Sequence, residues 1–104
     1  MPRQLIYTSS AVRHLNESEL AQLLSQARKH NKRLGVTGML VYADGSFLQV
    51  IEGEFLAVEE VMERVSLDTR HTNIITLADR RVETREFAEW SMAFRPSTDS
   101  EMAN

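Results

Sequence analysis

The sequence predicts an α+β fold in which two helices cover one face of a mixed sheet, and three observations predict it. Two apolar series at helical spacing, Leu20-Leu23-Leu24-Ala27 and Val58-Val61-Met62-Val65, are separated by shorter runs rich in β-branched and aromatic residues. Residues 38–53 read as a hairpin reversing at Ala43-Asp44-Gly45, because Asp-Gly supplies the positive φ of a tight turn. The runs then follow one another as β-α-β-β-α-β-β. With 104 residues the chain holds one core: residues 1–96 form the domain and 97–104 a polar tail that frays.

Arg3-Gln4-Leu5-Ile6-Tyr7-Thr8-Ser9 forms the first strand, with Leu5 and Tyr7 on one face. Asn16 is the N-cap of the first helix, and Glu19 completes a capping box. The helical series continues to Asn31 before Gly35 stops it, so Asn31 lies on or beside the core-facing stripe. In the third strand Phe47, Gln49 and Ile51 face one way and Leu48 and Val50 the other. All are apolar except Gln49, which places an amide inside the middle strand of a covered sheet. Leaving that amide without partners costs about 1–3 kcal/mol, so something must satisfy it. The second helix runs over residues 54–65 and leads into a charged loop, Asp68-Thr69-Arg70-His71. Residues 73–77 form the fourth strand, and the charged run from Asp79 to Arg85 a solvated connection. The fifth strand places Trp90, Met92 and Phe94 on one face and ends at Pro96.

The first six elements match a ferredoxin-like βαββαβ sandwich, with strands one and three parallel in the centre and a fifth strand appended. Tyr7 and Gln49 are then neighbours beneath the helices, Asn31 descends from above, and Leu23 and Val65 line the space between. Two amides and a phenol offer donors and acceptors without fixed charge. Such a set suits a flat, partly polar ligand, and an isoalloxazine edge better than a phosphate. Tyr7 is a readily oxidised side chain, and Gln49 is able to relay a proton. Asp68, Arg70 and His71 are placed to hold the outer part of the ligand, Arg70 on a phosphate and Asp68 on a ring or ribityl donor.

Each of these residues also has a plainer role. Tyr7 is an ordinary strand tyrosine, Asn31 a helix cap, Asp68–Arg70 a surface ion pair, and His30 and His71 solvated side chains. A net charge of −3 carries no footprint of nucleic-acid binding, and the absence of cysteine removes disulfides and thiolate chemistry. No apolar run approaches the roughly 18 residues of a membrane span, so a cytoplasmic protein is the default. The loop after the first strand, Thr8-Ser9-Ser10-Ala11-Val12-Arg13, lacks the glycines of an acylphosphatase-type phosphate cradle. A protein-interaction domain without a chromophore is the alternative function.

The motifs Leu5-Ile6-Tyr7-Thr8-Ser9, His30-Asn31 with Gly35-Val36-Thr37-Gly38, residues 47–53, Asp68-Thr69-Arg70-His71 and Trp90-Ser91-Met92 occur together and in order. In them the chain resembles the BLUF domains, blue-light sensors that use FAD, over nearly its whole length. The resemblance implies a photosensory module, with any catalysis in a separate effector. FAD, or FMN or riboflavin in its place, would lie between the helices, flanked by Leu23 and Val65. Asn31 and Gln49 would bond its polar edge and Tyr7 would bond Gln49, while His30, Asp68, Arg70 and His71 match positions used around the flavin and its side chain. Light would drive transfer from Tyr7. Gln49 would rotate or tautomerise and give a new hydrogen bond to the flavin C4 carbonyl, with a small red shift that decays in the dark. Trp90 and Met92 match the fifth-strand residues that pass the change outward. The implied partners are the flavin and an effector domain or partner protein; a homodimer stays open. Because such domains usually continue into further helices or an effector, a short member or an excised sensor module is expected.

Overall fold

A computed structural model describes residues 1–88 and, for the backbone alone, residues 93–96. The elements are β1 (Arg3–Ala11), α1 (Glu17–Leu34), β2 (Thr37–Ala43), β3 (Ser46–Gly53), α2 (Phe55–Leu67), β4 (His71–Arg81) and β5 (Ala93–Pro96). They build one sheet in the order β4-β1-β3-β2-β5, with β3 in the middle. Trp90, Met92 and the tail 97–104 lie outside the described residues. Among those residues, no helix is long and apolar enough to cross a membrane.

The local signals form as their chemistry requires. Asn16 Oδ1 accepts from the Glu19 N–H at 2.8 Å while Glu19 Oε1 accepts from the Asn16 N–H at 3.2 Å. Those two bonds satisfy donors that the first helical turn leaves open. Gly35 ends α1 at φ 69°, and the hairpin turns on Asp44 at φ 49° and Gly45 at φ 80°. Two successive positive φ values match the twist of the flanking strands.

Strand direction corrects one expectation. β1 and β3 are antiparallel, with Tyr7 directly opposite Gln49. β2 and β3 are antiparallel through their hairpin, so it is β1 and β2, joined by α1, that run parallel. A helical crossover preserves strand direction and a tight turn reverses it, which fixes β3 against β1. The sheet is mixed all the same, because β5 runs parallel to β2.

β4 is longer than the β-rich run that announced it. His71 opens the strand instead of closing a loop, and Asp79, Arg80 and Arg81 pair with Leu5, Gln4 and Arg3 instead of lying in a solvated connection. The charges are tolerated because β4 is an edge strand, and Asp79 and Arg80 have partners in Arg3 and Gln4. Arg3, almost buried, holds Asp79 through Nε and Nη2, each at 2.7 Å; it also pairs with Glu59 of α2 and lies 4.5 Å from the centre of the Phe55 ring.

Leu5, Tyr7, Leu40, Phe47 and Ile51 meet Leu23, Leu24, Val58 and Val61 in the core between sheet and helices. The opposite face is less covered than a fully buried sheet would be: Ile75 and Leu77 are 58% and 59% exposed.

Gly38 is where β2 comes closest to β3. A Cβ there would stand 2.0 Å from the Val50 carbonyl oxygen, a backbone atom with no side-chain freedom to yield. Gly38→Ala is therefore expected to destabilise the domain by about 3 kcal/mol, read as a lower urea midpoint; an unchanged midpoint would show that the strands separate freely there.

Candidate functional site

A cavity of about 460 Å³ opens between α1 and α2 above the sheet, a size usual for small-molecule sites. One face of α1 supplies Leu23, Gln26, Ala27, His30 and Asn31, spaced i, i+3, i+4, i+7, i+8. The facing wall is Val61, Arg64, Val65 and Leu67 of α2, followed by Asp68, Arg70 and His71. Gln49 is contributed by β3. The structure thus brings together eight residues singled out from the sequence: Leu23, His30, Asn31, Gln49, Val65, Asp68, Arg70 and His71. Tyr7 is not on the wall. It is wholly buried in the sheet–helix core and is hydrogen-bonded to the site through Gln49.

That contact is short and direct. Tyr7 Oη donates to Gln49 Oε1 at 2.6 Å. Burial, reinforced by the negative charge of Asp68, pushes the phenol far above its ordinary range, so it keeps its proton and acts as the donor. With Oε1 engaged, Nε2 is the end of the Gln49 amide left to donate. Asn31 is buried on the opposite wall, and its backbone carbonyl accepts the Val36 N–H at 2.8 Å, tying the end of α1 to the start of β2.

Asp68 and Arg70 face each other. Arg70 Nη2 meets Asp68 Oδ2 at 2.6 Å, Arg70 Nε meets Oδ1 at 2.9 Å, and the Arg70 backbone N–H adds a third bond at 2.9 Å. The guanidinium holds the carboxyl below the usual carboxylate range. The pair is half-buried at the cavity edge.

His71 is placed by a bulge. Between Thr72 and Ile75, β4 carries one residue more than β1 does between Ser10 and Thr8, with Asn73 at φ 54°. The His71 ring then has Ser9 Oγ 2.9 Å from Nδ1 and meets Phe47 edge-on at 5.6 Å. The neutral ring is able to accept the Ser9 hydroxyl proton at Nδ1, and burial favours that uncharged form. Burial, with Arg70 adding to it, lowers its pKa, against the opposing pull of Asp68. His30 is also held below its usual value, first by partial burial and then by Arg64, Arg33 and Lys29.

Gln26, Ala27, Arg64, Leu67 and Ser9 were not singled out from the sequence. Gln26, Ala27 and Arg64 were recoverable from helical spacing, since 23-26-27-30-31 and 61-64-65-68 each form one stripe; Leu67 lies off the second. Ser9 was not recoverable, because its partner is set by the bulge.

The neutral His71 gives a pH prediction. Its folded pKa lies below the ordinary 6.5, so its contribution is complete above that value and is lost as pH falls below it. The lowered Asp68 and Asp79 act in a separate window, losing their contribution only below the ordinary carboxylate value of 3.8. The thermal midpoint is expected to fall between about pH 7 and about pH 5, and a His71→Gln variant to reduce that fall, the lowered His30 contributing the remainder. An equal fall in the variant would place the titration elsewhere.

Comparison with known proteins gives concordant results. The family model described as BLUF, sensors of blue-light using FAD, matches residues 3–93. A photoactivated adenylate cyclase subunit beta from Euglena longa is 32% identical over 89 residues, 85% of this chain and 10% of that protein. The chain thus spans about a tenth of the length of the curated relatives it matches. Among solved structures, the dark state of BlrB, a BLUF protein, superposes with a TM-score of 0.87 at 32% identity, covering 91% of this chain and 72% of that one. The photo-activated state of BlsA superposes at 0.88 and 33% identity, covering 99% and 75%.

Proposed function

The chain belongs to the BLUF family, sensors of blue light using FAD, and we propose that its cavity holds the flavin and that Tyr7 and Gln49 form its light-operated switch. The observation that carries this is the buried 2.6 Å bond from Tyr7 to an amide on the cavity wall. The walls fit the group. Leu23, Ala27, Val61 and Val65 offer apolar flanks to a planar ring, and Asn31 and Gln49 offer amides to its polar edge. His30 and Arg64 at the mouth suit the phosphates of the side chain. Asp68, Arg70 and His71 close the remaining wall.

When bound, the flavin supplies blue-light absorption and an excited state that takes up an electron. Tyr7, protonated and buried, is the donor of both an electron and a proton. Gln49 is the only cavity-wall group bonded to that phenol among the described contacts, so the proton passes along its amide. Once the phenol ceases to donate, Oε1 loses its partner and the amide rotates or tautomerises, exchanging the ends it presents to Tyr7 and to the cavity. Return of the electron and proton to Tyr7 would then leave flavin and phenol in their starting redox states, with only the hydrogen bonds changed. The switch is therefore a rearrangement of hydrogen bonds between uncharged groups, with Trp90 and Met92 carrying the change toward an effector.

The Euglena relatives are photoactivated cyclases in which the matched part is about a tenth of the protein. This domain is correspondingly a sensory module, and we place catalysis in a separate effector domain or partner in the cytoplasm, without nucleic acid as a ligand.

Blue light is expected to shift the flavin absorption slightly to longer wavelength without bleaching, with reversal in the dark. Tyr7→Phe and Gln49→Leu are expected to retain flavin and lose the shift, measured by absorption before and after illumination. Tyr7→Phe also leaves Gln49 Oε1 short of a donor, at a stability cost of about 1–3 kcal/mol. A normal shift in either variant would assign the relay to other residues.

A further inference from the structure

Three residues beyond Gln49, on the opposite face of β3, a second polar side chain is buried. Glu52 is wholly inaccessible and lies directly opposite Gln4 of β1. Its Oε2 accepts from Gln4 Nε2 at 2.8 Å, and Gln4 Oε1 in turn accepts from Arg80 Nε at 3.0 Å. The carboxylate also accepts two consecutive backbone N–H groups from the connection between β4 and β5: Glu86 at 3.1 Å and Phe87 at 2.8 Å. One residue earlier, Arg85 Nη1 donates to the Gly35 carbonyl at 2.7 Å and to Thr37 Oγ1 at 3.2 Å. That corner joins α1 to β2, and there the Val36 N–H meets the Asn31 carbonyl.

The connection is thus pinned at two points, one on the strand that carries Gln49 and one at the end of the helix that carries Asn31. Sheet packing alone does not call for this. A buried carboxylate is costly unless every lone pair is used, and an apolar residue would fill the same space more cheaply. We infer that Glu52 and Arg85 are positioning residues that tie the two amide-bearing elements to residues 85–87, and so to the approach to β5. This rests on the proposed switch at Gln49. β5 is a short edge strand, held to β2 by the register pairs Met39–Ala93 through Tyr42–Pro96, and edge strands of this kind open readily. A shift of β3 that follows the Gln49 rearrangement moves the Glu52 carboxylate, and with it the backbone of Glu86 and Phe87.

Amide hydrogen exchange on the flavin-loaded protein, in darkness and under blue light, tests this alongside the absorption spectrum. Glu52→Gln keeps the shape of the side chain but sets an NH₂ group against one of its three donors. In the dark it is expected to speed exchange at the Glu86 and Phe87 amides about tenfold. Arg85→Ala, a partly exposed change that leaves the core intact, is expected to act in the same direction more weakly. Both variants are expected to keep the red shift while losing the light-minus-dark exchange difference that the parent protein shows over residues 85–88. Unchanged dark exchange in Glu52→Gln, or a light-minus-dark difference of parental size in both variants, overturns the assignment. A parent protein without any red shift overturns the photoreceptor reading instead, and the dark exchange still decides whether the tether exists.

Discussion

The hydrogen bond from Tyr7 to Gln49 joins the two central antiparallel strands on the face that the helices cover, and it is the contact around which the site is arranged. A carboxamide on a middle strand has nowhere to send its oxygen except to a neighbour in the sheet, because the ladder already uses the backbone donors on both sides. The phenol directly across from it answers that need and remains protonated because its burial disfavours the charged form. One end of the amide is thereby committed inward and the other is available to a ligand. The cavity therefore meets its occupant with an oriented donor, not with a freely rotating amide.

The helices supply the rest by geometry. The stripe on α1 carries apolar residues and Asn31 on the same face, so the wall that flanks a planar ring also places an amide at its edge. The return wall ends in the Asp68–Arg70 pair and in His71, whose part-buried ring is favoured in its neutral form. Fixed charge is thus kept to the rim, and the floor is uncharged. A switch of this kind works best in that setting, because moving an electron and a proton together and then rearranging neutral hydrogen bonds avoids the cost of burying a new ion in a low-dielectric floor.

Much of this was legible in the chain. The capping box at Asn16, the Asp44-Gly45 reversal and the inward amide at position 49 follow from local chemistry, and each appears in place. The direction of β3 relative to β1 was also legible by counting reversals, since one helical crossover and one hairpin leave only the antiparallel answer; the parallel assignment ignored that count. Other features were not written locally. Asp79 and Arg80 look like a solvated run until Arg3 and Gln4 are seen beside them. Ser9 meets His71 only because β4 bulges at Asn73. Glu52 reads as an ordinary charged strand end, and it is buried because a connection more than thirty residues later folds back over it.

The two buried polar groups of β3 belong to one design constraint. Side chains three apart on a strand point to opposite faces, so Gln49 and Glu52 anchor the same strand from both sides, one to the cavity wall and one to the connection beneath. A strand held by apolar contacts alone would absorb a small displacement, because dispersion contacts are individually weak and non-directional. Hydrogen bonds to a carboxylate are directional and short, and they weaken steeply when misaligned. A movement of β3 too small to disturb the packing of Phe47 or Ile51 is therefore large enough to be felt at the Glu86 and Phe87 amides. Placing a costly carboxylate opposite the amide makes the strand a rigid transmitter between its two faces.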